Sequence, residues 1–379
     1  MQQLAIERES TSPKSDESAT HGGVKSTEQL TCQIVPQCRV DVIDVRDLIR
    51  QRFGGALDRY RKAVYYSYHT TAGYFDQRLS ARLNHCRDSV HDFVSSFQTL
   101  FPPNADYRHD QLQFRTELTE SQKENEPLNA DSHLTFIGSG LANCVTYANE
   151  PEKPVFFVDL DGVYGDERRT RQTTVIGFNQ ERPVLELLRH VPVSGHPIDS
   201  INLRDPGLGL FEELQFLLDR YDVETGRIDI SLETDESHAG LTVNEYETLL
   251  MTHDLREVLR NPFRYMAQKS LHMVEDPLAI PGKAINYAKY DLVRFVNSFL
   301  DTFGLSESLV ERMIDKFLAY PASRFLRMKR SLSMLVSDQQ ASGQDSILSG
   351  TYQSPILVQW KKPTRQARRR LKISIVSFD

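Results

Sequence analysis

The sequence predicts an α+β protein built of two β-rich modules, each a mixed or antiparallel sheet with helices on one face, the second module carrying a helical insertion. Three observations lead there. Runs of β-branched and aromatic residues recur, as in "KAVYYSYHTTAG" after Arg61 and "GRIDISLETDESHAGL" after Thr225. The second run repeats the order of the first, strand then small-residue junction then helix, with Ala72-Gly73 in register with Ala239-Gly240. The chain's 379 residues also suffice for two domains that each bury a core.

The elements follow in order. Residues 1–35 are rich in Ser, Thr, Glu and Lys, lack the apolar centre of a secretory signal, and are expected to be a disordered tail. The first module spans 36–180. "CRVDVIDVRDLIRQRF" reads as a strand leading into a short helix. "KAVYYSYHTTAG" reads as a strand ending at His69. "RLSARLNHCRDSVHDFVSSFQTLF" has Leu79, Leu83, Val90, Phe93, Val94 and Phe97 at helical spacing and stops at Pro102-Pro103. "ADSHLTFIGSGLANCVTY" is small and apolar, as a tightly packed buried helix or strand requires. "PVFFVDLDGVYGDERRTRQTTVIGF" is a hairpin candidate, two strands around an Asp-Gly turn.

Residues 181–225, with Pro, Gly and Asp around "LFEELQFLLDRY", read as a connector. The second module spans 226–379. Helical stripes in "YDLVRFVNSFLDTF" and "ESLVERMIDKFLAY" place an insertion at 280–335, and "SILSGTYQSPILVQWKKPTRQARRRLKISIVSF" closes the chain as strand, turn and strand.

Composition removes several function classes. No apolar run approaches the roughly 20 residues that a membrane helix needs, so no membrane partner is expected. A net charge of −7 makes nucleic acid an unlikely partner. Four cysteines without a CxxC pair indicate neither a disulfide framework nor a zinc ribbon, and the expected compartment is the cytoplasm.

From Cys38 to Phe178 the order "HTTAG", "YRHD", "NADSHLTFIGSGL", "VDLDG" and "RRTR" resembles the YjbQ-like family, also called secondary thiamine-phosphate synthases. The second half resembles the same family in complementary places: "AGLTVNE" and the following Asp254, then "SGTYQSPILVQW" and "RRRLKISI". Each half departs from the family where the other keeps it. Gln77-Arg78 stand where the family has Asn-Glu, whereas the second half has Asn244-Glu245 but Glu236 in the place of the histidine. The family's Gly-Thr-Trp-Gln is absent from the first half and is Gly350-Thr351-Tyr352-Gln353 in the second. Family members are single modules that form trimers with sites near subunit boundaries. The resemblance therefore implies one composite site per pair of modules, and a homo-oligomer, a trimer by analogy.

The resemblance also implies the site chemistry. It brings His69, His109 and His133 together, and three neutral imidazoles suit zinc with one coordination position open; magnesium is the alternative with a diphosphate substrate. Asp131 would orient a ligand or bind directly. Glu245 is the natural general acid or base with Asn244 beside it; equally, Asn-Glu can simply open the next helix. Gln353 and Thr351 would contact substrate, unless Gly-Thr-Tyr-Gln is an ordinary turn. Arg168 and Arg169 in the first half, and Arg368 and Arg370 in "KKPTRQARRRLK", would dock phosphate, the other reading being a solvated edge strand. The function expected is metal-dependent enzymology on a small phosphorylated or heterocyclic substrate, resembling thiamine-phosphate synthase, in a specialised biosynthetic pathway. A metal-dependent hydrolase and a non-catalytic ligand-binding or assembly protein are the alternatives.

Overall fold

The computed structural model describes residues 26–115, 118–124, 126–245, 249–260, 264–265, 328–338, 346–363 and 367–379. In chain order the elements are β1 (Thr27–Ile34), β2 (Asp41–Asp44), α1 (Val45–Phe53), β3 (Lys62–Ser67), β4 (Ala72–Tyr74), α2 (Gln77–Arg82), α3 (Arg87–Leu100), α4 (Glu120–Lys123), α5 (Ala130–Ser139), β5 (Cys144–Ala148), β6 (Phe156–Asp159), β7 (Val163–Tyr164), β8 (Glu167–Arg168) and β9 (Arg171–Phe178). They continue with β10 (Glu181–Pro192), β11 (Asp199–Asn202), α6 (Leu210–Arg220), β12 (Thr225–Leu232), β13 (Ala239–Asn244), α7 (Leu249–Arg260), β14 (Ser331–Ser337), β15 (Ser354–Gln359) and β16 (Arg368–Phe378). The class is α+β, and the strand pairings of all the larger sheets are antiparallel.

The same sheet pair occurs twice. Strands β1-β9-β3-β5 and β2-β6-β4 form the first half; β10-β16-β12-β14 and β11-β15-β13 form the second. Register follows the sequence alignment: Ala72 sits opposite Asp159, and Ala239 sits opposite Gln359. Alternation drives the strands. In β12 every second residue, Gly226, Ile228, Ile230 and Leu232, points inward, and β16 alternates likewise. β3, buried along nearly its whole length, reads instead as a continuous apolar and aromatic run.

The two halves share their core. Phe93, Phe97, Leu134 and Phe136 from the first pack in one cluster with Leu255, Val258, Leu259, Ile356 and Val358 from the second. On the other side Phe178 stacks on Phe378, ring centres 4.0 Å apart and planes 7° from parallel. Every residue of α5 is buried, which its small residues Ala130, Ser132, Gly138 and Ser139 permit.

Several boundaries are corrected. Thr27–Ile34, expected within the tail, pairs along its length with β9, because Leu30, Cys32 and Ile34 alternate inward. The expected connector at 181–225 holds β10, β11 and α6: β10 covers the edge of β16, and Leu210, Leu214 and Leu218 fill the second core. Its Pro and Gly had masked that apolar pattern. The expected hairpin of two long strands does not form, since β6 and β9 lie in different sheets and only the short β7 and β8 between them pair; the closing strands β15 and β16 also lie in different sheets. The helix expected after Arg78 is two helices, broken where Asn84 and His85 take φ of 57° and 50°, although the apolar positions named for it are all buried. Of the expected insertion, 280–327 lies outside the described residues, and Ser331–Ser337 is a strand paired with β12. No described helix is long and apolar enough to cross a membrane.

Candidate metal centre

His109 follows the proline-terminated end of α3, on a loop whose backbone the second half holds. Asp254 of α7 accepts the N–H groups of Arg108 (3.1 Å) and His109 (2.9 Å), and the Tyr265 hydroxyl donates to the same carboxylate at 3.0 Å. Asp110 ties this loop to α5 by accepting the Ala130 N–H at 3.0 Å. His133 projects from α5 itself. Glu245 comes directly after β13, the strand that crosses from the second half.

These elements converge three ligand atoms. One atom from each of His109, His133 and Glu245 lies within 4.8 Å of the others. Both imidazole Nε2 atoms stand 3.5 Å from Glu245 Oε2. Their opposite nitrogens are anchored: His109 Nδ1 lies 3.2 Å from Asp110 Oδ1, and His133 Nδ1 2.8 Å from Asn244 Oδ1. With an oxygen acceptor at each Nδ1, the hydrogen belongs there and the Nε2 lone pairs are left for a cation. His109 Nε2 is buried with no hydrogen-bond partner among the described residues. Asn244 also accepts the Glu245 N–H (2.8 Å) and donates to Thr70 O (3.3 Å), so its amide orients the whole corner. Glu245's other oxygen lies 3.4 Å from Arg115, which also holds Glu126 at 2.9 Å.

The electrostatics are those of a site built for positive charge. Burial pulls His109 down, but the Asp110 and Glu245 carboxylates outweigh it and raise its pKa to about 9. His133 is lowered to about 4, by burial and then by the His109 cation. Glu245 falls to about 2: burial opposes this, and the two histidines and Arg115 overcome it. A donor set of two imidazole nitrogens and one carboxylate oxygen fits a borderline divalent ion with an open position, so the residues present suit the zinc-type metal that the sequence suggests.

His69 is not in this cluster. Its Nε2 accepts the Gln172 N–H at 2.8 Å, and burial together with Arg171 and Arg169 lowers its pKa to about 3. At the matching position Glu236 accepts the Arg370 N–H at 3.0 Å. The two residues therefore do the same backbone task, accepting an N–H near the start of β9 and of β16, at its second and third residue respectively, which explains why a histidine and a glutamate can replace each other there.

The remaining candidates divide. Asp131 begins α5 beside the cluster, held by Arg39 at 2.7 Å; its pKa rises to about 7, by burial first and, against the pull of Arg39, with help from Asp110 and Asp161. Gln353 is fully engaged inside the protein: its Nε2 donates to Ser67 O (2.7 Å) and His69 O (3.1 Å), and its Oε1 meets the Tyr66 hydroxyl (2.7 Å) and the Gly350 N–H (2.9 Å). It braces the β3–β4 turn, and no amide valence is left for substrate. Gly350 is required there, since a Cβ would sit 1.8 Å from Tyr68 O. Thr351 is exposed on the turn before β15.

The arginines are largely spoken for. Arg168 donates to Gln37 (2.8 Å), Arg169 pairs with Asp161 (2.8 Å), Arg370 pairs with Asp235 and Glu236, and the neighbouring Arg369 is buried against Glu236 at 2.9 Å. Arg368 is exposed at the start of β16. Acids distant in sequence supply these partners, which the arginine-rich motifs by themselves do not reveal. A cleft of about 770 Å³ between β5 and β14 is lined by residues such as Arg78, Thr146, Arg227 and Arg330, and by none of the cluster. Asp110, Arg115 and Asp254 are site residues that sequence reasoning left without a role; "YRHD" contained the first of them.

No protein-family model and no curated protein matches the chain. Among solved structures it is similar to a YbjQ-like protein of unknown function from Sulfolobus solfataricus, at 11% identity over 52% of this chain and 99% of that one, with a TM-score of 0.26. A hypothetical protein from Aeropyrum pernix matches at 16% identity over 40% of this chain and 99% of its own, TM-score 0.27. An uncharacterized conserved protein of the YjbQ family from Clostridium acetobutylicum matches at 13% over 50% and 98%, TM-score 0.25.

Proposed function

We propose that this chain is a metal-dependent enzyme, a tandem of two YjbQ-like modules that assemble one centre from His109 and His133 of the first and Glu245 of the second. The observation that carries the reading is the convergence of two Nε2 lone pairs and one carboxylate oxygen within 4.8 Å, with both Nδ1 atoms anchored on oxygen. The repeated strand order supports the tandem reading. Zinc suits the donor set. When bound, such an ion polarises a carbonyl or phosphoryl oxygen. The chain's own residues do the rest: Asn244 and Asp110 fix the imidazoles, Asp254 fixes the His109 backbone, and Arg115 steadies Glu245. Glu245, expected to be the acid or base, is here a ligand.

The substrate class is a small phosphorylated or heterocyclic molecule, the reaction a transfer of the thiamine-phosphate synthase type, in a cytoplasmic homo-oligomer. The test begins with the metal. Purified protein, stripped and reloaded, should hold one zinc per chain by elemental analysis, and His133→Ala and Glu245→Gln should each lose it while remaining folded by circular dichroism. A wild-type chain that retains no zinc overturns the reading. Turnover of an aminopyrimidine diphosphate with a thiazole phosphate, against a panel of phosphate esters, then separates transfer from hydrolysis.

A further inference from the structure

Beside the histidine cluster lies a second set of buried atoms that the proposed metal does not use. Asn129 Oδ1, Asp131 Oδ2 and Asp161 Oδ1 are buried oxygens without a hydrogen-bond partner among the described residues. Their placement is rigid. Asn129 is the residue before α5 and Asp131 lies in its first turn. The intervening Ser132 hydroxyl donates to Leu160 O at 2.8 Å, which clamps that turn against the residue preceding Asp161. Asn129 Nδ2 donates to Asp161 Oδ2 at 2.8 Å, so the amide head that bears the unpartnered Oδ1 rests on the Asp161 carboxylate.

Each acid has one oxygen occupied and one free. Asp131 Oδ1 takes Arg39 Nη2 at 2.7 Å, and Asp161 Oδ2 takes Arg169 Nη2 at 2.8 Å. Leaving three acceptors buried without donors is costly, and nothing among the described side chains supplies a donor. The set is all oxygen, with two carboxyl members, which suits a hard ion that keeps several waters and is poor for zinc. Arg39 and Arg169, with side chains 31% and 33% exposed, stand at its rim, where an anionic group bound to such an ion would meet them.

We propose that Asn129, Asp131 and Asp161 form a second cation subsite, for magnesium or manganese, next to the His109–His133–Glu245 centre. It shares no ligand atom with that centre, so either can fail alone.

The test uses zinc-reloaded full-length protein titrated with Mn²⁺, free ion being followed by electron paramagnetic resonance and total zinc by elemental analysis. The expected result is one Mn²⁺ per chain with zinc retained. Asp161→Asn should weaken Mn²⁺ at least tenfold with zinc unchanged, and Asn129→Ala, which removes one of the three oxygens, should weaken it as well. The subsite is refuted if Mn²⁺ does not bind at millimolar concentration, which means that ordered water fills it. It is equally refuted if Mn²⁺ displaces zinc one for one, or if both variants bind as wild type does.

Discussion

Raising the pH from 6 to 8 should strengthen zinc binding by about a hundredfold. A metal takes the neutral imidazole, and in the metal-free chain His109 holds its proton up to about pH 9, the Asp110 and Glu245 carboxylates overcoming burial. His133, at about 4, and Glu245, at about 2, are already deprotonated throughout this window and add nothing to its slope. One proton is therefore displaced per ion, and affinity rises one decade per pH unit, about 2.7 kcal/mol over two units. Competition against a chromophoric chelator, corrected for the chelator's own titration, measures the slope. Calorimetry in buffers of different ionisation enthalpy counts the proton. Asp110→Asn keeps an oxygen for the Ala130 N–H but removes the charge, so it should flatten the slope. An affinity independent of pH between 6 and 8, with no proton released, would refute the protonated His109 and the electrostatic account of the site.

Two further outcomes follow from groups outside the metal's reach or in its absence. Gln353→Ala removes one of the two donors to each of the Ser67 and His69 carbonyls, the other being Asn143 Nδ2, and strands the Gly350 N–H, so it should lower stability by about 1–2 kcal/mol in urea unfolding; a variant as stable as wild type but with a raised KM would return Gln353 to substrate binding. In metal-free protein His133 titrates near 4 when folded and near 6.5 when unfolded. Between those values the unfolded chain binds more protons, so stability should fall as pH drops from 6.5 to 4, by up to about 3 kcal/mol, and His133→Asn should remove that part of the loss.

Much of the site was legible in short motifs. The Asp-x-His of "ADSHL" and the Asn-Glu of "TVNEY" stand out through their resemblance to a family's motifs, and the structure sets His133 against Asn244 at 2.8 Å. The histidine of "YYSYHTTAG" looks equally promising in one dimension. Its lone pair is used by a backbone N–H of β9, about a hundred residues away, and no local signal reports that. The arginine runs mislead for the same reason: Asp161, Asp235 and Glu236 neutralise them across turns and sheets.

The sequence by itself determined the α+β class, the two-fold repetition of strands and the buried positions of α2 and α3, because alternation and helical spacing are local consequences of backbone geometry. Tertiary structure decided which strands share a sheet, that β10 belongs to the second half, and which imidazoles meet Glu245. Those outcomes depend on packing α5 and β13, about a hundred residues apart, against each other, and on which buried donors and acceptors then find each other.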